Sequence, residues 1–150
     1  MNKLCCIILL SFMTFVPQIS YAKCNVQEKS AATADSAELH SWDAVYTWFK
    51  KYAHCGSPSG EAGESLQDAV AILLARKWNT FSQLTNYIKK DKNFSRFVIS
   101  QIGVTADTDD LKGARANVLK RCSAENKKLC SEIYHELDAA INEIEGVKHD

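Results

Sequence analysis

The chain of 150 residues has no surplus of either charge: 18 Lys and Arg stand against 18 Asp and Glu. A protein that grips nucleic-acid phosphates carries a basic excess, so no nucleic-acid partner is expected. Long apolar runs are also lacking apart from Leu4–Val16, so no stable membrane insertion is expected once that run is removed. No segment alternates apolar and polar residues as a half-buried strand does, and no repeat recurs at a fixed period. Turn-forming residues are few, with two prolines and six glycines in all. One of those prolines and three of the glycines crowd into HCGSPSGEAGES, residues 54–65.

The N-terminal run reads as an export signal. Lys3 precedes it, and Ser20 and Ala22 put small residues at the minus-3 and minus-1 positions of a cut after Ala22. The run falls short of the ~20 residues that a membrane crossing needs. Cys24 lies just past the cut, but Lys23 stands where a lipid-attachment site requires a small residue. The expected plan is a signal peptide at 1–22, a loose polar arm at 23–35 and one helical domain at 36–150. The mature protein is expected to be periplasmic or secreted.

Four cysteines remain after that cut: Cys24, Cys55, Cys122 and Cys130. An even number in an exported chain argues for two disulfides, and four cysteines allow three pairings. A short polar turn between helices brings Cys122 to Cys130, which leaves Cys24 for Cys55. If Cys24 holds only a loose arm, the Cys122 bridge is expected to matter more for stability. No C-x-x-C or H-x-x-x-H spacing is present, so neither a zinc site nor any other metal or cofactor is expected.

Helical periodicity fills the rest. Leu39, Trp42, Val45, Tyr46, Phe49 and Tyr52 form a stripe over 36–54, and Leu66, Ala69, Val70 and Leu73 another over 62–78. Thr80 and Gln83 fit a capping box before Phe81, Leu84, Tyr87 and Ile88. Asp91 opens a helix that stops at Gly103. Asp107 or Thr108 opens the next, with Leu111, Ala114, Val118 and Leu119 as its apolar stripe, and Ser123 opens the last, which ends at Gly146. The predicted fold is all-α, a compact bundle of five or six helices stapled by two disulfides.

The candidate motifs fail one after another. Gly56-Ser57-Pro58-Ser59-Gly60 puts proline inside what would be a hydrolase elbow and follows no strand. The same stretch has no lysine for a phosphate loop and the wrong glycine spacing for a dinucleotide fingerprint. It reads as a turn, with Gly56 ending one helix, Pro58 blocking its continuation, and Glu61 and Glu64 near the start of the next. Asp107-Thr108-Asp109-Asp110 breaks the calcium-loop pattern at Leu111, Lys112 and Val118. His135-Glu136 lacks its second histidine, because residue 139 is alanine, so Glu132, His135, Glu136 and Glu143 read as a solvated face. His40, His54, Glu61 and Glu64 are the groups that acid–base chemistry would need if they met. Asn93-Phe94-Ser95 matches a glycosylation acceptor but falls inside a predicted helix.

Trp48 and Lys51 lie off the main aromatic stripe. With Gly56, Ser57, Pro58, Ser59 and Gly60 they make the candidate partner surface, an aromatic anchor beside a constrained loop; the alternative for Trp48, and the one favoured, is packing under the N-terminal arm.

SWDAVYTWFKKYAHC, ARKW and KKDKNFSRFVISQI together resemble a group of small exported proteins of Gram-negative bacteria that carry no assigned activity. The resemblance covers residues 40–130 and rests on aromatic and apolar positions at helical spacing. It implies an all-helical periplasmic protein and transfers no catalytic residue. The Gly-Ser-Pro-Ser loop departs from the more acidic loop of that group. The expected function is non-enzymatic binding of a protein partner, in its most concrete form an inhibitor or immunity protein against a toxin that attacks the cell wall. The alternative is a small periplasmic enzyme or ligand carrier with its pocket between helices.

Overall fold

The computed structural model describes residues 24–146. The signal peptide expected at 1–22 and its cut site lie outside the described residues. Those described form seven α-helices and no strand. They are α1 (Val26–Ser36), α2 (Trp42–Tyr52), α3 (Glu61–Arg76), α4 (Phe81–Lys90), α5 (Lys92–Ser100), α6 (Thr108–Arg121) and α7 (Lys127–Ile144). Short 3-10 turns precede α4 and α7 and follow α2. Both disulfides form as the sequence suggests, Cys24 with Cys55 and Cys122 with Cys130. No helix among the described residues is long and apolar enough to cross a membrane.

The core is built around α3, which buries Leu66, Ala69, Val70, Ala71, Leu73 and Leu74. Helix α6 lies along α3, and α7 lies along α6. The α3–α6 approach is close because residue 113 is glycine: a Cβ there would stand 3.3 Å from that of Ala75. Two polar ties lock the pair. Arg76 forks onto Asp110 at 2.6 and 2.8 Å. Asn117 Nδ2 donates to the Leu74 and Ala75 carbonyls at 2.9 and 2.7 Å, which lie in the last turn of α3, where intrahelical donors run out.

An aromatic layer joins α2, α4 and α5. Tyr46 stacks on Tyr87 at 4.4 Å and meets Phe94 edge-on at 4.9 Å. The Tyr87 hydroxyl donates to Asp43, which raises the Tyr87 pKa. Edge-on and stacked ring pairs add to what burial alone contributes.

The loose arm expected at 23–35 is corrected. Residues 26–36 form α1, opened by a capping box in which Asn25 and Glu28 exchange side-chain and backbone hydrogen bonds at 2.8 and 2.9 Å. The arm was misread because α1 has almost no apolar stripe; Val26 is exposed, and the buried contacts come from Ala32 and Ser36. Small side chains let it lie close on α2 and α3. This also explains why the helices number seven.

Several boundaries move for local reasons. Ser41 caps α2, its Oγ accepting from the Ala44 N–H at 3.2 Å, so that helix starts at 42 and not at 36. Thr80 does not build the expected capping box: its hydroxyl turns back to donate to the Lys77 carbonyl at 2.7 Å. Asp91 and Asp107 cap α5 and α6 as expected. Helix α5 ends at Ser100, before Gly103. The Gln67 side chain lies over Gly103 and accepts from the Thr105 hydroxyl at 2.8 Å.

Candidate functional site

The predicted partner surface divides in two. Gly56, Ser57, Ser59 and Gly60 are exposed, and Pro58 is half-buried. Gly56 has φ 88° and ψ −162°, and Gly60 has φ 60° and ψ −145°. Both are conformations that belong almost wholly to glycine. The turn folds back on α3, where a Cβ at Gly63 would come within 3.0 Å of the Pro58 carbonyl oxygen. The sequence thus fixes this loop by two glycines at its ends and a third beneath it.

Trp48 is not an exposed anchor: that expectation is corrected, and the alternative, packing under the N-terminal arm, holds. It is 5% exposed, and its indole Nε1 donates to the Ala32 carbonyl at 2.9 Å. The helix that hides it is α1, which the apolar pattern did not reveal. One edge of Trp48 still lines a cleft of about 150 Å³ with Ser57, Pro58, Ser59 and Thr33, so the tryptophan and the loop are neighbours. Lys51 is exposed but committed. Its Nζ lies 2.8 Å from Asp35 Oδ2, which also accepts from the Tyr52 hydroxyl at 2.6 Å. The hydrogen bond from Lys51, then that from Tyr52, holds the Asp35 carboxyl below its usual range.

The four acid–base candidates do not gather. His54 meets Glu28 at 3.5 Å, whereas His40 lies 3.9 Å from Glu38. Glu64 belongs to a separate acidic group with Asp68, Asp107 and Asp110. There, burial first and those like charges next raise the Asp68 pKa. Asp107 accepts from the Asp109 and Asp110 N–H groups, and Asp110 is spent on Arg76. Glu132, His135, Glu136 and Glu143 are all exposed on α7.

A surface that the sequence reading passed over lies at the other disulfide. A cleft of about 520 Å³ opens between the end of α6 and the start of α7, lined by Val118, Leu119, Cys122, Ala124, Lys127 and Tyr134 among others. Leu119 is 66% exposed. Lys120, Arg121, Lys127 and Lys128 are exposed in the same two segments. No clear sign of it stood in the sequence, because adjacent apolar residues can both be buried, as Leu73 and Leu74 are, and Leu119 stands next to Val118. The reading gave both to the core.

No protein-family model matches the chain, and neither does any curated protein or solved structure. What can be said of its function therefore rests on the two surfaces.

Proposed function

We propose that this is an exported, non-enzymatic helical protein that binds a protein partner, and that the α6–α7 cleft is its principal contact. The observation that carries the reading is the exposed Leu119 beside an apolar cleft, set on a turn that Cys122 and Cys130 tie together. An apolar centre with a charged rim is the usual layout of a protein interface. A turn held by a disulfide gives up little conformational freedom on binding. The exposed charges of the two flanking segments are mixed, with Glu125 and Glu132 beside Lys120, Arg121, Lys127 and Lys128. An inhibitor or immunity protein against a toxin that attacks the cell wall is the most concrete form of this reading, and its support is analogy with other small exported, disulfide-stapled helical proteins. The exposed 56–60 loop is proposed as a second contact.

The test is capture from periplasmic extract with the tagged, exported chain. The wild type should retain a partner that Leu119→Asp releases, while the thermal midpoint of the variant stays within a few degrees. Equal capture by both chains would remove the cleft from the interface.

The size of the cleft favours one rival reading. It falls within the roughly 300–1,000 Å³ of small-molecule sites, so an apolar ligand would fit. Lys127 and Tyr134 are the titratable side chains in its lining, and no carboxylate among the lining residues stands beside them to form an acid–base pair. A fluorescent apolar probe that binds at micromolar concentration and is displaced in Leu119→Asp would favour the carrier.

A further inference from the structure

Cys24, His54 and Cys55 place their sulfur and imidazole atoms within 4.8 Å of one another. The Cys55 sulfur lies 3.8 Å from His54 Nε2. Glu28 Oε1 stands 3.5 Å from the same nitrogen. With Zn–S near about 2.3 Å and Zn–N near about 2.0 Å, the edges of a tetrahedral site are about 3.6 Å from sulfur to nitrogen and about 3.4 Å from nitrogen to carboxylate oxygen. The two separations are close to those edges. Glu28 stands outside the three whose ligand atoms lie within 4.8 Å of one another; its Oε2 is held by the Asn25 N–H at 2.9 Å, which leaves Oε1, on the His54 side, as the candidate fourth ligand.

We propose that, once the Cys24–Cys55 disulfide is reduced, this end of the molecule binds one zinc-class divalent cation through Cys24, Cys55, His54 and Glu28. In the oxidised chain both sulfurs are bonded to each other and neither is a thiolate, so the site exists only in the reduced form. A dithiol reductant supplies two electrons and two protons: the protein S–S bond breaks, the reductant's two sulfurs join, and two thiols result. The cation then displaces both thiol protons to solvent as the sulfurs separate to the edge length of a tetrahedron. The other disulfide offers no such set, since the cluster at Cys24 is the one group of this kind among the described residues. The proposal is independent of the α6–α7 cleft.

The experiment uses the exported chain carrying Cys122→Ala and Cys130→Ala, so that only the two thiols of interest remain, reduced with a phosphine. Cobalt(II) should produce one equivalent of thiolate charge-transfer absorbance, and zinc should abolish it. Zinc should also raise the thermal midpoint of the reduced chain and leave that of the oxidised chain unchanged. His54→Ala should weaken binding by at least about tenfold, since even outer-shell changes cost about 10–100-fold. Glu28→Gln should weaken it less. The proposal is overturned if the band does not form, if His54→Ala binds as tightly, or if a reduced chain that has unfolded does not regain helix when zinc is added.

Discussion

The two disulfides do different work. Cys24–Cys55 spans 31 residues and fastens α1 to the far end of α2. Cys122–Cys130 spans 8 residues and closes a turn between α6 and α7, helices that already pack along each other. On loop entropy alone the longer closure contributes about 3.7 kcal/mol and the shorter about 2.5 kcal/mol. Helix α1 needs its bridge more than α7 does, because its buried surface is mostly small side chains and one indole contact. The sequence suggested the opposite order on the premise that Cys24 held only a loose arm. That premise falls with the capping box at Asn25 and with Trp48, which α1 covers. The comparison teaches that a bridge matters most where packing is thinnest.

The largest effect should come from the contact that joins α1 to the core. Trp48→Ala should destabilise by about 3–5 kcal/mol, as large-to-small changes at buried aromatics do. Trp48→Phe, which loses the bond to the Ala32 carbonyl, should cost less. Denaturant unfolding would measure both. A Trp48→Ala protein of native stability would mean that α1 does not cover it.

Next comes the pair of bridges. Replacing Cys24 and Cys55 by alanine should cost about 1 kcal/mol more than replacing Cys122 and Cys130, from the loop lengths above. Urea midpoints of the two double variants decide the order, and the reverse order would break the comparison.

Acid should then separate the two ends. Asp35, whose pKa is lowered, stabilises the fold above its usual value near 3.8; that contribution is lost as pH falls through the lower, folded value. Glu28 behaves the same way below its usual value near 4.5, chiefly through the Asn25 N–H. Asp68 is the opposite case. Its folded pKa is raised, so its penalty is absent below about 3.8 and complete once pH exceeds the raised value. Asp68→Asn should therefore melt higher than wild type at pH 7, with the gap closing as pH falls. Asp35→Asn should melt lower at pH 7, and its gap should also close in acid. Melting curves from pH 7 to 3 would show both trends. If both variants shift in the same direction at pH 7, the electrostatic contrast is wrong.

The smallest effects belong to the exposed surfaces. Ser57→Ala, Ser59→Ala and Leu119→Ala should each change stability by less than about 0.5 kcal/mol. A larger loss at Leu119 would show that it packs against something in the folded chain, and the cleft would then be a poor docking surface.

Much of the fold was legible. The stripes from Trp42 to Tyr52 and from Leu66 to Leu73 became α2 and α3, and Asp91 and Asp107 cap the helices that they were expected to cap. The 56–60 turn was legible too, because Gly56 and Gly60 adopt the positive φ that glycine tolerates. Less of the site could be read. Trp48 stayed open between an exposed flank and cover by the N-terminal arm because its burial depends on α1, and α1 announces itself by alanines rather than by large apolar residues. Leu119 was assigned to the core because periodicity cannot tell which of two adjacent apolar residues turns outward.

The sequence alone determined most of the elements: the stripes of α2 and α3, the caps at Asp91 and Asp107, the glycine and proline turn after α2, and that an even set of cysteines would pair. These are local properties, fixed by dihedral preference, capping and period. The tertiary structure decided what faces what. It laid α1 over Trp48, gave His54 and His40 different carboxylates, spent Asp110 on Arg76 and left Leu119 in solvent. Such outcomes depend on contacts between residues distant in the chain, such as the 16 positions between Ala32 and Trp48 or the 34 between Arg76 and Asp110. A helical period records which face of a segment is apolar, but the neighbour that covers the face is chosen only when the whole chain packs.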